Sequence, residues 1–137
     1  MEATAYPRVK TCCIGSVEEA WLAIASGASA LGLVSAMPSG PGVVSEAVIA
    51  QVARMIPPGV SSVLLTSRQD SDGIIAQQRR TGASVIQITD RLLEGNYEEI
   101  HAALPGIGLM QVIHVTGPEA VTEAVSVAPF VQAFLFD

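Results

Sequence analysis

The sequence predicts an α/β fold in which parallel strands alternate with helices. Six apolar, β-rich runs recur along the chain, five stretches with helical spacing lie between them, and Gly, Pro or capping residues mark the junctions. Near-continuous apolar runs suit strands buried on both faces, as in a parallel sheet covered by helices.

The first run is Val9 to Ile14. Ser16 reads as an N-cap, with Glu18 and Glu19 in the first turn, where the helix dipole favours acids. Ala20, Trp21, Ala23 and Ile24 then recur at helical spacing from Val17 to Ser26, and Gly27 closes the helix. A strand from Ala30 to Ser35 leads into a Pro- and Gly-rich loop, Met37 to Val43. Ser45 caps a helix running through Ile56, which Pro57-Pro58 stops. Next come a strand at Ser61 to Thr66, a helix around Ser71 to Thr81 and then Gly82. A strand at Ser84 to Thr89 and a helix near Tyr97 to Ala103 follow. Pro105-Gly106 precedes a strand at Gly108 to Val115, and Gly117-Pro118 opens a helix through Ser126. The last run, Phe130 to Phe136, leads to Asp137.

Length and composition bound the possibilities. The 137 residues read as a single domain, 1–137, and half of them are hydrophobic, enough for a sizeable core. The net charge of −6 repels phosphate backbones and anionic headgroups, so nucleic acid and membranes are poor partners. No apolar run approaches the ~20 residues of a membrane-spanning helix. The start, Met1-Glu2-Ala3-Thr4, has no basic segment followed by an apolar stretch, which reads as no leader peptide. Cys12 and Cys13 are adjacent, so they form neither a disulfide scaffold nor a zinc motif, and reduced thiols in a cytoplasm are the expectation. No nucleotide fingerprint follows the first strand. Periodicity leaves two architectures open, a doubly wound open sheet and a (β/α)₈ barrel.

Local motifs choose between them. Arg8-Val9-Lys10-Thr11-Cys12-Cys13-Ile14-Gly15 is similar to the V-K-I-C-G-I-T first strand of phosphoribosylanthranilate isomerases. Gly27-Ala28-Ser29-Ala30-Leu31-Gly32-Leu33-Val34 resembles that family's G-A-D-A-L-G-F-V. Val85-Ile86-Gln87-Ile88 resembles V-V-Q-L, Gln111 to Val115 stands at a K-A-I-R-V-like strand, and Phe134-Leu135-Phe136-Asp137 resembles the L-L-L-D that ends the sixth strand. The resemblance implies the N-terminal portion of a (β/α)₈ TIM-type barrel, incomplete here, with about six parallel strands in sequential order and five helices. It also implies that a seventh and eighth strand and the phosphate-holding loops are missing. The chain then reads as a piece of a longer protein, inactive alone, or as one whose exposed strand edges pair with another copy.

The resemblance further implies an Amadori rearrangement of phosphoribosylanthranilate, or of a related phosphoribosyl amine, in tryptophan biosynthesis, with no cofactor and no metal. An acid protonates the ribose ring oxygen and a base removes the C2′ proton. Cys12 stands at the family's base position and Asp137 at its acid position, each at a strand's C-terminal end, where barrel chemistry sits. Alternation puts Lys10, Cys12 and Ile14 on one face, and a lysine on the cysteine's face favours a thiolate; Cys13 is expected to pack against a helix. Gln87 and Gln111 are expected to point into the barrel, and His114 to be a satisfied interior histidine. Segment Pro38 to Gly42 is either a substrate-facing loop or a flexible connection. The family's carboxylate-binding arginine falls on Gly42, its histidine-glycine on Thr89-Asp90, and its fifth-strand lysine on Gln111. Arg68 and Arg91 are candidates to replace the lost arginine. These departures keep a second class open, a non-catalytic barrel relative serving as a binding or structural module.

Overall fold

The computed structural model describes residues 7–137, so Met1 to Tyr6, where the leader was judged absent, lie outside the described residues. Six strands, β1 (Lys10–Thr11), β2 (Ala30–Val34), β3 (Ser61–Thr66), β4 (Val85–Ile88), β5 (Gly108–Ile113) and β6 (Ala133–Phe136), form one sheet. Five helices connect them: α1 (Val17–Ala25), α2 (Glu46–Met55), α3 (Ser71–Thr81), α4 (Tyr97–Ala103) and α5 (Glu119–Val127), the last followed by a 3₁₀ turn at Ala128–Phe130. The strand order is β1-β2-β3-β4-β5-β6 and every pairing is parallel. A doubly wound sheet reverses its order partway, so the sequential order makes this a half-barrel with helices outside. Among the described residues β1 and β6 are the sheet's two edges.

The helices begin where the capping residues place them. The side chains of Ser16, Ser45 and Asp70 accept hydrogen bonds from the backbone N–H groups of Glu19, Val48 and Gly73. Asn96 and Glu99 form a reciprocal capping box at α4. Gly82 ends α3 at φ +70, a conformation glycine adopts without a Cβ penalty. Two apolar layers separate the sheet from the helices. One joins Leu31, Leu33 and Leu64 to Ala20, Ile49 and Val52; the other joins Ile86, Ile88 and Leu109 to Ile74 and Ile100. The concave face carries Val34, Val63 and Leu65, with Ala30 and Val85 beside them.

Two placements differ from the sequence reading. The first strand is only two residues long, because Cys13 adopts φ +60 and breaks the extended backbone. Ile14 is therefore turned into the helix-side core, not onto the face of Lys10 and Cys12. Gln111 is paired in register with Ile88, whose side chain packs toward the helices, so Gln111 faces the helix layer and not the barrel interior. There its amide nitrogen donates to the carbonyls of Ile88 and Asp90, and its oxygen accepts from the Tyr97 hydroxyl at 2.9 Å.

No helix among the described residues is long and apolar enough to cross a membrane. Across the outside, Arg80 of α3 forms two hydrogen bonds with the Glu46 carboxylate of α2, at 2.6 and 3.0 Å. The Arg80 hydrogen bond holds the Glu46 carboxyl below its ordinary range, partly opposed by burial. A carboxylate whose pKa is lowered on folding adds stability above its unfolded pKa, and that contribution disappears as pH falls through the folded value. Arg80→Ala is thus expected to lower the urea midpoint at neutral pH, with the difference from wild type shrinking as the pH falls below the ordinary carboxylate range.

Candidate functional site

The strand ends build a cavity. At the C-terminal edge of the sheet a space of about 760 Å³ opens on the concave face. Lys10 and Cys12 reach it from β1, Gln87 from β4, and Asp137 from the end of β6. Thr89, Asp90 and His114 complete the strand-end rim, and Met37, Pro38, Ser39 and Pro41 wall the open side. The loop after β2 therefore faces the cavity. It is held at both ends: Val44 N–H donates to Val34 O at 2.9 Å, and the Cys13 thiol contacts Pro41 O at 3.7 Å.

Cys12 owes its position to a missing side chain across the sheet. A Cβ built on Gly32 would lie 2.7 Å from the Cys12 sulfur and 3.0 Å from its Cα. Only glycine at 32 leaves the thiol room on the concave face, and the thiol is exposed there rather than buried as a small apolar side chain. Lys10 spans the interior and donates to Gln87 Oε1 at 2.5 Å. Partial burial pushes its ammonium below the ordinary lysine range, while thiolate at Cys12 or Cys13 opposes that shift.

Cys13 does not pack against a helix. It is exposed beside the loop after β2, and desolvation followed by the neighbouring Cys12 sulfur pushes its thiol up. Its left-handed backbone favours glycine, which costs no Cβ strain there. Cys13→Gly is accordingly expected to stabilise the fold by about 1 kcal/mol, read as a rise of roughly 3–5 °C in melting temperature.

Gly42 explains a second departure. It sits at φ +79, and a Cβ there would come within 2.5 Å of the Cys13 Cβ. A side chain at position 42 would collide with Cys13 in this packing.

Asp137 is anchored through its backbone: its N–H donates to Ile113 O at 3.1 Å and its carbonyl accepts from Val115 N–H at 2.7 Å. The carboxylate projects at the cavity rim with Oδ2 3.6 Å from His114 Nδ1. His114 is not an interior histidine; its side chain is 54% exposed, and its Nε2 lies 3.0 Å from Thr89 O. The sequence reading expected it inside the barrel, but β5 ends at Ile113 and leaves His114 at the strand-end rim.

The structure does not bring Arg68, Arg91 or Gln111 to this cavity. Arg68 is exposed on the loop after β3. Arg91 is engaged by Glu123 of α5 in two hydrogen bonds, at 2.9 and 2.8 Å. Arg91 and Gln111 border instead a crevice of about 630 Å³ between α4 and α5 on the helix side. That crevice has much apolar wall, and its named polar groups are already paired. Among the described residues no group of three His, Cys, Asp or Glu side chains is close enough to hold a metal ion.

A curated N-(5′-phosphoribosyl)anthranilate isomerase 2 of Methanosarcina mazei is 29% identical over 131 residues, covering 95% of this chain and 58% of the relative. The corresponding isomerase of Thermosynechococcus vestitus is 26% identical over 129 residues, covering 94% and 56%. The chain is similar over almost its whole length to phosphoribosylanthranilate isomerases. No protein-family model matches it. A crystal structure of a phosphoribosylanthranilate isomerase bound to reduced 1-(o-carboxyphenylamino)-1-deoxyribulose 5-phosphate superposes with a TM-score of 0.78 at 21% identity, covering 96% of this chain and 65% of that one. The shared architecture is the TIM-type barrel, of which this chain carries six strands. It spans a little over half the length of these curated isomerases.

Proposed function

We propose that this chain supplies the base and acid of an isomerase that performs an Amadori rearrangement on phosphoribosylanthranilate or a closely related phosphoribosyl amine, a step of tryptophan biosynthesis. The observation that carries the reading is that Cys12 and Asp137, from opposite edges of the sheet, open on the same cavity. Asp137 gives a proton to the ribose ring oxygen, and the C1′–O bond breaks to leave the open-chain iminium, in which the nitrogen keeps its hydrogen. Cys12 takes the proton from C2′, giving an enolamine. Loss of the 2′-hydroxyl proton and protonation at C1′ then complete the amino ketose, with no net change in protons. Lys10, with its ammonium partly desolvated, faces the same space and favours anionic groups there, and Gln87 holds Lys10 in place. The substrate's own charge is thus met locally despite the net charge of −6.

One observation favours a second reading, a non-catalytic barrel relative. The packing of Cys13 on Gly42 excludes the arginine that the family resemblance assigns to the substrate carboxylate. Complementation separates the two. The natural gene is expected to restore growth of a tryptophan auxotroph lacking the isomerase, and its Cys12→Ala form is expected not to. No growth with the natural gene would favour the module.

The 137-residue chain is expected to turn over at least about 100-fold more slowly than a curated full-length isomerase such as that of Methanosarcina mazei in a steady-state assay, because a loosely held sugar forfeits orientation. More than a third of each curated isomerase has no counterpart in this chain, which covers 58% and 56% of them. Equal turnover would show that the six-stranded part suffices.

A further inference from the structure

We propose that His114 is a positioning residue that orients the Asp137 carboxyl and returns a proton to it after each turnover. The inference rests on the reading of Asp137 as the acid. Its geometric basis is that His114 touches two groups that can be told apart chemically. Nε2 lies 3.0 Å from the Thr89 carbonyl. A carbonyl only accepts, so Nε2 carries a hydrogen in every protonation state of the ring that keeps this contact. Thr89 itself is fixed, its N–H and its hydroxyl both donating to Thr66 O at 3.0 Å. The tautomer is thereby set, and the other nitrogen, Nδ1, is the one aimed at Asp137 Oδ2 across 3.6 Å. That gap is longer than a hydrogen bond, and a small side-chain rotation closes it; catalytic contacts commonly tighten only when substrate is bound.

Neutral, Nδ1 offers a lone pair to a protonated Asp137; protonated, it donates to the carboxylate. After Asp137–OH has given its proton to the ring oxygen, the neutral imidazole takes a proton from water at Nδ1 and passes it to the carboxylate, which restores Asp137–OH and the Nε2–H imidazole.

The surrounding charges leave this exchange to the pair. On the helix side Arg91 is matched by Glu123, and Glu119 is held by the Thr116 hydroxyl at 2.8 Å. Asp90 borders His114 at the rim. Across the cavity stand Lys10 and Cys12.

The test is the pH dependence of kcat for the natural gene product and three variants acting on phosphoribosylanthranilate. His114→Ala is expected to lower kcat at neutral pH by about 10–100-fold, with KM changed less than about threefold, and to move the alkaline limb of the profile at least about one unit toward acid. His114→Asn keeps a polar neighbour that cannot titrate and is expected to show the same shifted limb. Asn restoring the wild-type profile, or Ala leaving it unmoved, would overturn the proposal. Asp137→Asn reads the underlying assignment separately: activity surviving in that variant removes Asp137 as the acid. Loss of activity there, with an unmoved His114→Ala profile, overturns only the role of His114. A measurement independent of the variants is the imidazole ¹⁵N spectrum of the wild-type protein above neutral pH. The Nε2–H tautomer is expected, and the Nδ1–H tautomer contradicts the proposal.

Discussion

Cys12→Ala is expected to lower the kcat of the natural gene product by about 10²–10⁴-fold, with a much smaller change in KM. The thiol is exposed on the concave face, and the other side chain that reaches the cavity from β1, Lys10, is engaged by Gln87. Cys13 is one residue away but points toward the loop after β2, where its sulfur meets Pro41 O. The left-handed turn at Cys13 separates the two thiols, so neighbouring sequence does not give redundancy. The exposed position of Cys12 makes the substitution nearly silent for folding, and equal melting temperatures would show that the loss lies in the chemistry. A Cys12→Ala protein with wild-type kcat would assign the base elsewhere.

Gly32→Ala is expected to be nearly as damaging without touching a reacting group. The added methyl would stand 2.7 Å from the Cys12 sulfur and 3.0 Å from its Cα. Since the second contact is to backbone, a rotamer change cannot relieve it, and the end of β1 must move. Overpacking of this kind costs about 1–3 kcal/mol in stability. A displacement near 1 Å at a catalytic group costs on the order of 100-fold in rate. Both effects are therefore predicted together, in a melt and in kcat. An unaltered kcat would mean that the position of Cys12 is not critical to turnover.

Much of the fold was legible because local signals agreed with one another. Ser61–Thr66, Ser71–Thr81 and Tyr97–Ala103 have the bounds that caps and apolar runs indicate. The site was legible only in part. Cys12, Lys10, Gln87 and Asp137 meet at one cavity, as period-two alternation and strand-end placement suggest. Alternation failed where the backbone left the extended region: the positive φ at Cys13 turned Ile14 inward and shortened β1. Nothing in the residue types announces that turn, since cysteine rarely adopts it. Gln111 was misplaced for another reason. A polar residue in an apolar run suggests an interior position, yet here Tyr97 and two carbonyls satisfy its amide on the helix side. Arg91 illustrates the weakness of placing a charge by loop position alone. Its partner, Glu123, is 32 residues away in sequence, and only the fold brings them together.

The central claim is that Cys12 and Asp137 act from opposite sides of one sugar. The most direct measurement is a crystal structure of the natural gene product with reduced 1-(o-carboxyphenylamino)-1-deoxyribulose 5-phosphate, the ligand of the structurally similar isomerase. The account predicts the sugar chain in the concave cavity, with the Cys12 sulfur and the Asp137 carboxylate approaching it from opposite sides. A ligand seated in the crevice between α4 and α5, or one in the cavity that leaves either side chain out of reach of the sugar, would contradict it.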